Sequence, residues 1–226
     1  EPKSAKATTR NALTYALKYQ LFKRVLTHAV KNSRRIIAVS AYTKGSILKH
    51  FPQVEPSKIA VVHEGVTPLS SRSSHRSPSL LYVGNAYPHK NLENLLSAFA
   101  ILRKNHPDAH LTLAGRGDVF YERLRRELGE LRELGDDAMT FVMDPTDEQV
   151  ADLYAHATLF VLPSRREGFG LTGLEAMSAG VPVAAARAGS LPEILADAAV
   201  YFDPNDPQDM AQALSRLLSD APERQA

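Results

Sequence analysis

The sequence predicts an α/β fold: a parallel sheet with helices packed on both faces. Three observations predict it. From Leu80 onward, short apolar runs alternate with stretches of helical period, the pattern of strand–helix units whose strands lie parallel. Two of the runs hand over to glycine turns, at Gly84 and Gly115, as strand-to-helix connections commonly do. The chain's 226 residues, with 44% hydrophobic and 23% charged side chains, have the balance of a soluble globular protein with a real core. Cysteine is absent, so neither a disulfide framework nor a thiolate metal site contributes.

The elements follow in order. Over residues 10–31, Leu13, Leu17, Leu21, Val25 and Ala29 recur at four-residue steps, and Phe22 and Leu26 widen the stripe. Lys18, Lys23, Arg24 and Lys31 fall mostly off it, which predicts an amphipathic helix. Arg35–Ser40 reads as a strand, Tyr42–His50 as a helix and Lys58–His63 as a second strand. Residues 67–79, TPLSSRSSHRSPS, are polar, rich in Ser and Pro and without period, as a linker is. Six strands then follow: LLYVG (80–84), HLTLAG (110–115), MTFVM (139–143), LFVLP (159–163), VPVAAA (181–186) and AVYF (199–202). Helices are predicted over 90–104, 119–134, 147–156, 171–179, 191–196 and 207–219. Ligands of such sheets bind beyond the carboxyl ends of the strands, and the residues singled out below fall there.

Charge is unevenly placed. Residues 1–78 hold 14 Lys/Arg against 3 Asp/Glu, and residues 79–226 hold 13 against 22. A basic segment suits an anionic membrane surface or nucleic acid, or is simply a solvated face. No nucleic-acid-binding motif accompanies the charge, which sets nucleic acid aside. No apolar run reaches the length of a membrane span and no signal peptide is visible. The expected location is cytoplasmic, with a peripheral contact to the inner face of a membrane as the role for the basic segment. The chain begins Glu-Pro rather than Met, as a fragment or a processed product does. The eight histidines, at 28, 50, 63, 75, 89, 106, 110 and 156, show no metal-ligand spacing. Asp203–Asp206 reads as a turn rather than a metal motif, and no Ser/His/Asp constellation is present.

The chemistry concentrates in residues 162–183, LPSRREGFGLTGLEAMSAGVPV. Glu167 lies in a loop where Gly168 and Gly170 let the backbone come close to whatever Glu167 faces. From Leu171 the pattern turns helical, with Leu171, Leu174, Met177 and Ser178 on one face; Gly180 ends the helix and Pro182 keeps it from restarting. Exposed N–H groups at the start of such a helix form an anion site. Glu175, about one turn in, can reach a ligand hydroxyl. The arrangement suits a ligand that carries both phosphate and sugar hydroxyls. Lys90 stands just before a helix opening at about Asn91, where a cation opposes the helix dipole and is out of place unless an anion sits there too. The bland readings are a solvated Lys90, a Glu167 paired with Arg165 or Arg166, and a Glu175 that caps a neighbouring loop.

This stretch resembles the Glu-x7-Glu signature of the retaining glycosyltransferases of group 1 (family 4), which have the two-domain GT-B fold. The likeness includes both glutamates, the Gly168-Phe169-Gly170 between them, Leu174-Glu175-Ala176-Met177 and the following Gly180-Val181-Pro182-Val183. Residues 36–48, 59–66, 81–99, 111–118 and 201–214 agree in the family's order, so the resemblance covers nearly the whole chain from Ile36 onward. It implies the C-terminal half of a GT-B fold, a Rossmann-like domain over 79–226, preceded by a linker at 67–78 and the tail of an N-terminal, acceptor-side domain at 1–66.

The resemblance also implies roles. Glu175 bonds the nucleotide ribose, a task that suits a carboxylate because it accepts two hydrogen bonds from a vicinal diol. Glu167 lies against the donor hexose. Backbone N–H groups of Gly168, Phe169, Gly170 and Leu171 meet sugar hydroxyls or phosphate. Lys90 contacts the diphosphate beside the Gly84 loop. Many relatives place an arginine just after that glycine; here Asn85 stands there, leaving His89 or Arg116 to supply the second phosphate contact. Met143 and Asp144 border the base pocket, with Asp144-Pro145 in place of a glycine-containing turn. Glu193 reads as a helix-start residue. The implied reaction is transfer of a hexose from a nucleoside diphosphate sugar, with retention and without metal or further cofactor, to a glycan or lipid-linked acceptor. The P-x-K-N loop and SLPE segment make GDP-mannose the leading donor. The rival reading is a donor-binding module that needs its missing N-terminal domain or a partner chain. In either reading the apolar stripe of the helix at 10–31 is expected to pack against the C-terminal domain or, by preference, a second copy of the chain. An epimerase of the same fold is disfavoured by the L-E-A-M string.

Overall fold

The computed structural model describes residues 12–69, 78–130 and 137–219. Most of the expected linker (70–77) and the last residues of the helix expected to 134 lie outside them. The chain divides into two compact units, Glu1–Glu64 and Gly65–Ala226.

In the first unit, α1 (Ala12–Asn32), β1 (Ile36–Ala38), α2 (Ala41–His50) and β2 (Ile59–Val61) follow one another. β1 and β2 pair in parallel, Ile36 opposite Ile59. Val30, Ala38, Val54 and Ile59 form a small core. The Lys58 ammonium donates to the carbonyls of Val30 (2.9 Å) and Lys31 (3.0 Å), a cation placed on the carboxyl end of α1. Ser40 caps α2 by accepting from the Thr43 N–H. The stripe of α1 stays in solvent: Leu17, Phe22 and Val25 are 62%, 60% and 68% exposed.

The second unit is the α/β fold expected. Its strands are β3 (Ser79–Val83), β4 (His110–Gly115), β5 (Met139–Met143), β6 (Leu159–Leu162), β7 (Val183–Ala186) and β8 (Ala199–Phe202). They form one all-parallel sheet in the order β5-β4-β3-β6-β7-β8. Between them lie α3 (Leu92–Arg103), α4 (Val119–Glu130), α5 (Asp147–His156), α6 (Leu171–Ser178) and α7 (Leu191–Ile194), with α8 (Pro207–Ser219) last. Every residue of β6 and β7 is buried, as expected of strands covered on both faces. From β3 the chain builds outward to β5, then crosses back to lay β6 on the other side of β3. The order reverses between β3 and β6, and the crevice beyond their carboxyl ends is where such sheets bind ligands.

On α6 the face of Leu171, Leu174, Met177 and Ser178 is exposed or partly buried, with Leu174 and Met177 packed against the core, while Gly173 and Ala176 are buried. The helix lies so close to the sheet that a Cβ on Gly173 would sit 2.7 Å from Leu162 Cδ1. Only the smallest side chains fit beneath it, so the large apolar ones flank the contact. No helix of the described residues is long and apolar enough to cross a membrane.

Candidate functional site

Two loops leave the sheet at the crevice between β3 and β6. The first runs from Gly84 into a short 3-10 turn at Pro88–Lys90 and reaches α3 through Asn91, which takes the left-handed conformation (φ 62°). The second runs from Pro163 to Gly170 and enters α6. They are stitched together by backbone and side chains. The Arg165 N–H donates to the His89 carbonyl (2.8 Å). The Asn91 amide, fully buried, donates to the carbonyls of Pro163 (2.9 Å) and Pro204 (2.7 Å).

The central contact is an ion pair across the crevice. The Lys90 ammonium lies 2.5 Å from Glu167 Oε1, with the two side chains only 18% and 13% exposed. Lys90 is therefore not a solvated lysine, and Glu167 pairs with it rather than with Arg165 or Arg166. Ser164, fully buried, donates its hydroxyl to the same oxygen at 2.7 Å. Ser190 donates through its N–H (3.2 Å) and its hydroxyl (3.1 Å) to the Glu167 carbonyl. Both the side chain and the backbone of Glu167 are thus held. Sequence reasoning missed Asn91, Ser164 and Ser190. Ser164 sits three residues before Glu167 in the same loop, a weak signal; Ser190 is distant in sequence and carries none.

The floor of the first loop is set by two buried tyrosines. Tyr121 donates to the Gly84 carbonyl (2.8 Å) and Tyr82 to the Asn85 carbonyl (2.7 Å). Burial raises the pKa of both hydroxyls, so both keep their protons. A side chain on Gly115 would collide with the Gly84 carbonyl, so β4 can lie against this loop only with glycine there. The Asn85 side chain is turned back onto its own loop, accepting from the Tyr87 N–H at 3.4 Å. Arg116 is exposed and makes no hydrogen bond or ion pair among the described residues. His89 lies beside Lys90; burial first, and then the Lys90 charge, lower its pKa.

Beyond β5, Met143 is partly buried against the core. Asp144 takes the left-handed conformation (φ 51°) that a glycine would otherwise supply. Its N–H donates to the Gly115 carbonyl (2.8 Å) and its carboxylate accepts from the Gly117 N–H (3.2 Å), which joins the turns after β4 and β5.

The second loop ends at Gly170, whose φ of 99° and close approach to Leu191 exclude a side chain. α6 starts there with no side-chain cap among the described residues, so the N–H groups of Leu171 and Thr172 have no intrahelical acceptor. Phe169 is buried. Glu175, on α6, does not cap a loop; its Oε2 accepts from the Tyr154 hydroxyl at 2.9 Å. Tyr154 was legible only as a core position of an amphipathic helix. Among the described residues no cluster of three His, Asp or Glu side chains is placed to hold a metal ion.

Together these parts offer a cation, a helix N-terminus and two carboxylates around one crevice. That set can neutralise a diphosphate while accepting hydrogen bonds from sugar hydroxyls.

The family model described as "Glycosyl transferases group 1" matches residues 69–226. A D-inositol 3-phosphate glycosyltransferase of Corynebacterium kroppenstedtii is 33% identical over 212 residues, which cover 84% of this chain and 47% of that protein. The O-antigen chain mannosyltransferase B of Escherichia coli is 41% identical over 150 residues, covering 62% of this chain and 36% of that one. This chain therefore spans half or less of the length of these curated relatives. The structure of sucrose-phosphate synthase from Thermosynechococcus elongatus superposes with a TM-score of 0.77 at 26% identity, over 99% of this chain and 56% of that one. Anabaena HepE, solved in complex with UDP and glucose, shares the fold with a TM-score of 0.72 at 20% identity, over 87% of this chain and 56% of that one.

Proposed function

The chain belongs to the group 1 glycosyltransferases, and we propose that its second unit is the donor-binding half of a hexosyltransferase acting with retention on a nucleoside diphosphate sugar. The observation that carries the proposal is the Lys90–Glu167 pair at the point where the strand order reverses. In this reading the diphosphate lies between Lys90 and the N-terminus of α6. Both supply positive charge where the leaving group develops negative charge, so no divalent metal is needed. Glu167 faces the hexose as positive charge grows at its anomeric carbon. Glu175 accepts from the ribose hydroxyls. Met143 and Asp144 border the base. GDP-mannose is the proposed donor, and the relatives named as mannosyltransferases support it. A glycan or a lipid-linked molecule is the proposed acceptor.

The test is a binding series on the isolated chain. Diphosphates, nucleosides and nucleotide sugars are compared by melting shift and calorimetry, because a ligand that binds only the folded state raises its stability. GDP and GDP-mannose are expected to raise the melting temperature with a chelator present. Binding that a chelator abolishes and magnesium restores would refute metal independence. Lys90→Gln, which keeps a donor for Glu167, should weaken diphosphates about tenfold or more and the bare nucleoside hardly at all. Equal losses for both would remove Lys90 from the phosphate.

A second reading is favoured by one observation, that the chain spans only about half the length of its curated relatives. In it the chain binds donor but needs a partner domain, or a second copy, to present the acceptor and exclude water. A transfer assay with and without a supplied N-terminal domain separates the two readings.

A further inference from the structure

The hydroxyl of Tyr154 lies 2.9 Å from Glu175 Oε2, and none of the roles proposed above uses it. Tyr154 is fully buried near the end of α5. Its ring packs on Phe160 of β6, with centroids 5.4 Å apart. α5 itself is pinned at its start by a capping box, in which Thr146 accepts from the Gln149 N–H and the Gln149 side chain accepts from the Thr146 N–H. The ring is thus fixed before any ligand arrives. Burial, and next the Glu175 charge, push the tyrosine pKa far above its ordinary value, so the hydroxyl stays protonated and donates. The same hydroxyl is 3.2 Å from the Thr172 carbonyl, but the carboxylate is the nearer acceptor and the charged one. Glu175 Oε1 has no hydrogen-bond partner among the described residues, and the side chain is only partly buried.

We propose that Tyr154 is a positioning residue for nucleotide recognition: it occupies Oε2, fixes the plane of the Glu175 carboxylate and leaves Oε1 to accept from the ribose diol. This rests on the ribose role proposed for Glu175. A glutamate on a helix otherwise samples several rotamers, and binding would have to freeze it. Holding one oxygen from a rigid ring removes that cost in advance.

The test measures GDP and UDP, each against its 2′,3′-dideoxy form, by calorimetry. The unaltered chain is compared with Tyr154→Phe, Glu175→Ala and the double variant. Glu175→Ala should lose about ten- to hundredfold for the ribonucleotide and erase its preference over the dideoxy form. Tyr154→Phe should lose about three- to tenfold for the ribonucleotide only, with no further loss in the Glu175→Ala background. If Tyr154→Phe melts earlier yet keeps the ribose preference, or weakens both forms equally, the hydroxyl only anchors α6; the proposal then falls while the Glu175 role stands. If Glu175→Ala keeps the preference, or the unaltered chain shows none, the ribose reading falls and this proposal falls with it.

Discussion

At Glu167 two demands conflict. The unliganded site needs the Lys90–Glu167 pair, because an unpaired charge that is mostly buried is costly. On the proposed reading a diphosphate would take the same lysine. Binding would then set phosphate oxygens against Glu167 Oε1 for one ammonium group. Replacing Glu167 by glutamine removes the competitor and the nearby negative charge, while Ser164 keeps an oxygen to bond. Glu167→Gln should thus bind the bare nucleoside diphosphate about two- to fivefold more tightly, the size of one partly screened charge interaction, yet lose transfer. Weaker diphosphate binding in calorimetry would show that the two groups do not compete. His89, next along the loop, carries a pH signature. Its pKa is lowered from 6.5 by burial and by Lys90. Between the folded value and 6.5 the unfolded chain holds the proton and the folded chain does not. Stability therefore rises with pH across that window and is lost as the solution is acidified through it. Melting temperatures measured between about pH 7 and pH 5 should fall less steeply for His89→Gln than for the unaltered chain. Parallel curves would mean that His89 is not desolvated in solution.

Among the elements, α6 shows what an apolar face leaves open: Leu174 and Met177 pack partly buried on the core, but the fully buried positions are Gly173, set against Leu162 of β6, and Ala176. On the proposed reading close approach has a use, since α6 carries both the N-terminus set against the anion and Glu175. Gly173→Val should overpack against Leu162 and Leu195, costing about 1–3 kcal/mol in chemical denaturation and weakening nucleotide binding by lifting α6. Gly45 in α2 is the opposite case: apart from its own neighbours and helix backbone, no described atom lies within 4 Å of where its Cβ would be. Gly45→Ala should therefore stabilise by about 0.5–1 kcal/mol, the helix-interior difference between the two residues. A destabilised Gly45→Ala would show that something packs on that face of α2 in solution.

At the scale of the molecule, the two units pose different problems. Among the described residues, the second has a large core and a six-stranded sheet. The first has, among its described residues, a two-stranded sheet, four buried apolar core residues and a helix whose stripe is exposed. Exposed apolar area of that kind seeks a cover. The chain alone should therefore bind donor well but transfer sugar poorly, and a supplied N-terminal domain should raise transfer without changing donor affinity. Full transfer by the isolated chain, with a monomer mass in light scattering, would refute this.

Periodicity and local chemistry were enough to read the strands, most helices and the carboxyl ends where a ligand would sit. They are near-neighbour properties of the chain: alternating apolar runs, glycine after a strand, a helix opened by glycine and stopped by proline. Lys90, Glu167 and Glu175 could be singled out for the same reason, each lying in a local pattern that its residue type does not otherwise explain. What the sequence could not decide was which partner each one takes. Lys90 meets Glu167 because β3 and β6 are neighbours, although 77 residues separate the two side chains. Tyr154 meets Glu175 because α5 packs on β3 and α6 on the neighbouring β6, and Ser190 reaches Glu167 through the turn before α7. Asp144 replaced a glycine and still closed the turn, since its carboxylate found the Gly117 N–H across from it. Strand order brings such pairs together, and it is fixed by the burial of both sheet faces at once, a property of the whole chain that no local window contains.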